Sequence, residues 1–223
     1  MTISRIAVVG GHGKIALLLT ELLAEKDVAV RSIIRNPDQA EEIRGIGGDP
    51  VVCDAENASV AELQEAFGDA EAVVFAAGAG GASGAFRKYT MDLAGSVRSI
   101  QAALAANIQR FVQISFIGAK QPTQPDAEEV FAAYWACKRE ADNALRAADL
   151  DWTIVSPGGL TDDPATGELE VGENLERGGT TRRGDVARFI AHILDDERTF
   201  GRDFDILDGE QPLGDALDAH LGS

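Results

Sequence analysis

At 223 residues, 45% of them hydrophobic, the chain is long enough to bury a sheet between helices on both faces. Its formal net charge of −17 argues against nucleic acid or an anionic membrane as partner, since both are bound through basic surfaces. No apolar run approaches the ~20 residues of a membrane-spanning helix, and Cys53 and Cys137 are too few for a disulfide framework or a metal cluster.

The N-terminus enters an apolar run at once, which leaves no room for a signal peptide and sets the expectation of a reduced, cytoplasmic location. That run, Ile6-Ala7-Val8-Val9, meets Gly10-Gly11-His12-Gly13-Lys14-Ile15-Ala16 and passes directly into a leucine-rich helix. Strand, glycine turn and helix form the context in which a glycine motif acquires meaning. The spacing is Gly10-x-x-Gly13-x-x-Ala16. Gly10 permits a sharp turn, Gly13 lets backbone approach a pyrophosphate, and Ala16 allows close packing of helix on strand. The positive end of the helix then faces the phosphates of a dinucleotide.

Val28 to Ile34 reads as a second strand, with a helix expected from Pro37 through Arg44. An acidic residue would take the ribose hydroxyls of NAD at this strand end. Arg35 stands there instead, suited to a 2′-phosphate, so NADP is the expected cofactor, with NAD the alternative. A third strand is expected over Pro50–Asp54, a helix over Val60–Phe67 and a fourth strand over Ala72–Gly78. A Gly/Ala loop up to Ala85 and a long helix from Phe86 to Ala106 follow, then a fifth strand over Arg110–Ser115. Strands alternating with helices imply an α/β, Rossmann-like, doubly wound parallel sheet with helices on both faces.

A polar, acidic loop with Pro122 and Pro125 covers the carboxyl end of strand five, and a helix is expected over Glu129–Ala148. Its helical wheel places Lys138 among Phe131, Tyr134, Ala141 and Leu145 on the apolar face, with Asp142 near it. Arg139, Glu140 and Arg146 point outward on the same wheel. A lysine in an apolar stripe is costly unless its ammonium has a task. Tyr134 and Lys138 lie one turn apart, and a lysine cation would lower the tyrosine pKa from its usual ~10. Tyr134 then exchanges a proton with a substrate oxygen while Ser115 hydrogen-bonds it. Beyond a strand ending at Ser156-Pro157-Gly158-Gly159, Glu168–Val171 reads as a short exposed strand. Asp185 reads as an N-cap for a helix through Leu194, Asp203–Leu207 as a half-buried strand and Pro212–Leu221 as a closing helix. His12, His192 and His220 have no metal spacing, and no Gly-x-Ser-x-Gly elbow marks a hydrolase.

The chain resembles the atypical or extended short-chain dehydrogenase/reductases, in the NAD(P)H-binding group that includes nucleotide-sugar-epimerase-like and flavin-reductase-like bacterial proteins. The likeness runs nearly end to end: the Gly10–Ala16 loop, Val73-Val74-Phe75-Ala76-Ala77-Gly78, Phe111-Val112-Gln113-Ile114-Ser115, Tyr134-x-x-x-Lys138 and Ile154-Val155-Ser156-Pro157-Gly158. The resemblance implies cofactor contacts from Gly10, Gly11, His12, Gly13, Lys14, Ile15, Ala76, Ala77, Gly78 and Pro157. It also implies Arg35 on the ribose phosphate, Asp54 by the adenine and Lys138 on the nicotinamide ribose. Ser115, Tyr134 and Lys138 are the implied catalytic set, and no metal is implied. Phe116 departs from the small residue frequent after the serine, and the C-terminal third is short for a sugar-nucleotide epimerase. The expectation is a single NAD(P)-binding domain over 1–223, in which about 156–223 forms a small substrate-side extension. It acts as an NADP-dependent oxidoreductase on a small carbonyl, alcohol or flavin-like substrate, as a monomer or a dimer. A non-catalytic NAD(P)H sensor and an NAD-dependent sugar epimerase are the alternatives.

Overall fold

The computed structural model describes residues 3–81, 83–124 and 126–222; Ala82 and Pro125 of the two expected loops lie outside them. Five parallel strands come first in the chain: β1 (Arg5–Val9), β2 (Ala29–Ile34), β3 (Asp49–Val52), β4 (Ala72–Phe75) and β5 (Arg110–Ile114). β6 (Asp151–Pro157) extends them, β7 (Gly159–Thr161) and β9 (Thr180–Arg182) form a separate parallel pair, and β8 (Glu168–Gly172), β10 (Arg202–Asp208) and β11 (Gln211–Pro212) complete the main sheet. The nine strands of that sheet lie in the order β11-β8-β10-β6-β5-β4-β1-β2-β3. Chain order reverses at β1, which pairs in parallel with β2 on one side (Ile6 opposite Val30) and β4 on the other (Ile6 opposite Ala72). In an open α/β sheet the carboxyl ends of the strands flanking such a reversal are where a ligand finds a crevice.

Successive side chains of a strand point to opposite faces, so a doubly covered strand is apolar throughout. Ile6 and Val8 enter one core with Val74, Val112 and Val155, while Ala7 and Val9 enter the other with Val73, Phe75, Phe111 and Ile154. The first core is covered by α1 (Lys14–Ala24), α7 (Arg183–Ile193) and α8 (Leu213–Leu221) through Leu19, Leu23, Phe189, Ile190 and Leu217. The second takes Leu63 and Phe67 of α3 (Val60–Phe67), Ile100 of α5 (Ala94–Ala105) and Leu145 of α6 (Glu129–Arg146). Each such side chain contributes about 1.5–3 kcal/mol on burial. α3 begins where Ser59 and Glu62 form a reciprocal capping box, satisfying two backbone donors at once.

Several expectations are corrected. The helix after Pro37 is a 3₁₀ turn over Pro37–Gln39, capped by Asn36, leading into α2 (Ala40–Gly45). The long helix foreseen from Phe86 is interrupted: α4 (Ala85–Arg87) and α5 flank a π-helical turn over Lys88–Leu93. The turn buries Lys88, Met91 and Asp92 on one face. β8 is not an exposed strand; it pairs antiparallel with β10 and buries Leu169 completely. Asp185 is not an N-cap. It sits in the first turn of α7 and accepts from the Thr166 and Gly167 amides, tying the loop before β8 to that helix. Arg146 does not point freely outward: it grips Asp203 of β10 in a two-point ion pair. Among the described residues no helix is long and apolar enough to cross a membrane.

Candidate active site

The glycine loop is built by close contacts that a side chain would forbid. Gly10 has φ 81°, and a Cβ there would lie 2.7 Å from the Ala77 Cα; one at Gly11 would lie 2.6 Å from the Ser32 Cβ. Both amides donate to the Ile33 carbonyl, at 3.2 and 2.9 Å, and the Gly13 amide closes the turn onto the Gly10 carbonyl at 2.8 Å. The loop is thereby wedged between the ends of β2 and β4, with exposed Gly13 as the N-cap of α1. A Cβ at Gly13 would meet only the Gly10 and Ala76 carbonyl oxygens, at 3.2 and 3.8 Å, so glycine keeps the backbone bare towards solvent. A bare backbone at a helix N-terminus is the cradle a pyrophosphate fits.

A cleft of about 250 Å³ opens from this cradle, lined by Gly10, His12, Gly13, Arg35, Asp54 and the Ala76-Ala77-Gly78 segment after β4. His12 Nε2 lies 2.7 Å from Glu42 Oε2. Arg35 is 61% exposed at the rim, 4.0 Å from Glu56. Arg87, a second arginine on the same cleft, holds Glu56 through three nitrogen–oxygen contacts of 2.5 to 3.2 Å. That bidentate grip, with help from Thr90 and Arg35, keeps the Glu56 carboxyl below the usual range.

Ala76, Ala77 and Gly78 also line a second cleft of about 540 Å³, over the ends of β4 and β5. Ile15, Ser115, Tyr134 and Lys138 lie on it, as do Lys88, Asp92, Phe131, Leu160 and Arg183. The three expected catalytic residues are therefore brought together. Their partners differ from expectation. Lys138 is 3% exposed and donates to the Ile114 carbonyl, while burial lowers its pKa. Ser115 Oγ lies 2.5 Å from Asp142 Oδ2. Tyr134 is half-buried, stacked beside Phe116 with ring centroids 5.1 Å apart, and Lys88 Nζ lies 5.5 Å from its ring centre. Burial, reinforced by the negative charges of Asp92 and Asp142, raises the Tyr134 pKa. A lowered value was expected from Lys138; the lysine is engaged with backbone and two carboxyl groups oppose it.

The polar groups behind the cleft form a buried chain. Ser96 Oγ donates to Gln113 Oε1 at 2.5 Å, and Gln113 Nε2 donates to Asp142 Oδ1 at 2.6 Å. Asp92 accepts from the Ala79 amide at 3.0 Å and Lys88 donates to the Gly80 carbonyl at 2.7 Å, so the π-helical turn anchors the Gly/Ala loop beside both clefts. Gly11 packs beneath on Ser32, and Pro157 is buried at the end of β6. Lys14 reaches Asp162, which Arg183 also binds at 2.8 Å. Gly11, Lys14 and Pro157 line neither cleft.

Sequence reasoning missed Lys88, Asp92 and Arg87, and left Asp142 as a bystander. A helical wheel from Phe86 would have set Lys88 and Asp92 one turn apart beside apolar positions, the same signal that marked Lys138. No group of three or more His, Cys, Asp or Glu among the described residues is arranged to hold a metal.

Known proteins resemble this chain over nearly its whole length. An uncharacterised sugar epimerase of Bacillus subtilis, YhfK, is 32% identical over 214 residues, covering 96% of this chain and 98% of that protein. A Bacillus halodurans structure that carries the provisional name NAD-dependent epimerase/dehydratase superposes with a TM-score of 0.90 at 34% identity, covering 97% of this chain and 99% of that one. The oxidoreductase ylbE of Lactococcus lactis superposes with a TM-score of 0.86 at 26% identity, covering 98% and 97%. The profile of the NAD(P)H-binding family matches residues 10–197, and the chain belongs to that family.

Proposed function

We propose that this protein is an NADP-dependent oxidoreductase that reduces a small carbonyl or flavin-like substrate. The observation that carries this reading is the continuity of the two clefts: Ala76, Ala77 and Gly78 belong to both, so a phosphate cradle leads directly to Ser115, Tyr134 and Lys138. Gly10 and Gly13 would receive the pyrophosphate, Asp54 would lie by the adenine, and Arg35 would pair with the 2′-phosphate. The nicotinamide, when bound, supplies hydride. Residues 1–223 act as one NAD(P)-binding domain, with about 156–223 closing the substrate side through Leu160 and Arg183.

Tyr134 holds the proton. Its raised pKa keeps the phenol neutral across the ordinary pH range, so it donates to a developing alkoxide and is a poor base towards an alcohol. An epimerase, as the names of two relatives run, needs one group that both takes and returns a proton, and a tyrosine held as phenol serves that cycle poorly. Lys138, engaged at Ile114, braces the carboxyl end of β5 and would hold the nicotinamide ribose. Phe131, Tyr134 and Leu160 give the substrate cleft apolar walls, suited to a ring.

The test is a screen of quinones, aldehydes and flavins for oxidation of NADPH, followed by Tyr134→Phe on the best substrate. Turnover that depends on the hydroxyl supports the reading. Tight NADPH binding with no turnover on any of them supports a sensor instead.

A further inference from the structure

Asp142 is 1% exposed and lies behind the reaction cleft rather than in it. Among the described residues no cation stands within ion-pair distance of its carboxyl: Lys138 is engaged at the Ile114 carbonyl and Arg146 at Asp203. An ionised carboxylate buried without a paired charge is strongly disfavoured, and such a group takes up a proton instead. Its two oxygens are distinguished by their partners. Oδ1 accepts from Gln113, whose amide is in turn fixed by Ser96, which leaves Oδ2, against Ser115, as the oxygen able to carry a proton.

The protonation of Asp142 decides what Ser115 offers the cleft. If Asp142 is ionised, the Ser115 hydroxyl proton is committed to Oδ2 and only lone pairs face the cleft. If Asp142 is protonated, Oδ2–H donates to Ser115 Oγ and frees the serine proton for a substrate oxygen. We propose that Asp142 is a positioning residue that carries a proton at neutral pH and thereby makes Ser115 a donor. With Tyr134 also a donor, the cleft then presents two hydroxyl donors, the arrangement that receives the oxygen of a carbonyl rather than of an alcohol.

The groups facing Asp142 act together: Gln113 from β5 and Ser115 just after it, Ser96 from α5 through Gln113, and Tyr134, Lys138 and Arg146 from its own helix, with Asp92 also acting on Tyr134. Lys138, the hydrogen bonds from Ser115 and Gln113, and Arg146 pull the Asp142 pKa down, and burial outweighs them. This inference deepens the reductase reading, but its first test is independent of turnover.

Infrared difference spectra of the ligand-free protein read protonated carboxyl groups directly. Wild type at neutral pH is expected to show a protonated-carboxyl stretch that disappears in Asp142→Asn and persists in Asp92→Asn and in Asp205→Asn, each of which removes another buried carboxyl. Ser115→Ala, which keeps Asp142 and alters no backbone, is expected to shift that band because the acid loses its acceptor. No band lost in Asp142→Asn, or a band that Ser115→Ala leaves unmoved, overturns the proposal. Once a substrate is in hand, kcat/KM for reduction should fall as pH rises through the midpoint of the band, and a flat wild-type profile across that midpoint also overturns it. Failure of every substrate while the band behaves as described would count against the reductase reading alone.

Discussion

The two clefts differ in how they are made. The first is made of backbone: Gly10 turns because only glycine tolerates φ 81° with Ala77 so near, and its neighbours contribute carbonyls and amides more than side chains. The second is made of buried side-chain charge: Lys88, Asp92, Lys138 and Asp142 are each less than 5% exposed. A backbone site depends on local sequence, so it is written in one continuous stretch. A charge site depends on separate elements converging, here the π-helical turn and α6, and its electrostatics belong to the set.

The sharpest way to break that distinction is Gly13→Val. Gly13 has an ordinary φ of −68°, so valine should fold there while its branches cover the bare backbone. NADPH binding is expected to be lost, with the melting temperature little changed. Unchanged affinity in a folded variant would mean that the loop is only a turn. In the second cleft, Tyr134→Phe keeps the ring against Phe116 and removes the donor. Turnover should fall by ~10²–10⁴, the usual contribution of a general acid, with cofactor affinity preserved. Stopped-flow over a range of NADPH concentrations measures both, and a wild-type rate would remove the tyrosine from the mechanism.

This contrast explains what was legible in the sequence. The order of strands, the glycine loop and the Tyr134/Lys138 face could be read because each is a periodic or local pattern. The π-helical turn could not: Phe86 to Ala106 reads as one helix, and no proline or glycine between Lys88 and Leu93 marks the change of turn. The tyrosine pKa was expected to fall because one cation was counted; the structure adds two carboxyl groups and burial. β8 read as exposed because its alternating acids face solvent, whereas Leu169 between them is fully buried against β10 and α8.

Smaller effects sharpen the comparison. Arg35→Ala should reduce the preference for NADPH over NADH by about 1.5 kcal/mol, the low end for a charge-assisted contact because the side chain is largely exposed. Arg87 remains to supply part of the field. Parallel fluorescence titrations check this, and a preference untouched by the substitution would move the phosphate contact elsewhere.

Asp142→Asn should have the smallest effect, on stability. Burial raises the Asp142 pKa, so between its unfolded value of ~3.9 and its folded value the native state binds more protons. Wild-type stability therefore declines as pH rises through that window, and an asparagine does not share the decline. The melting temperature of the variant relative to wild type should be higher at neutral than at acid pH. A difference constant with pH would mean that folding leaves the carboxyl's pKa where it is in the unfolded chain, ionised at neutral pH.

Direct titration of the wild-type protein with NADPH and with NADH tests the cofactor assignment most simply. Binding of both, with NADPH tighter by about thirtyfold, equivalent to ~2 kcal/mol, is the expected result. Equal affinities would contradict the role given to Arg35, and binding of neither would contradict the joining of the two clefts into one cofactor groove.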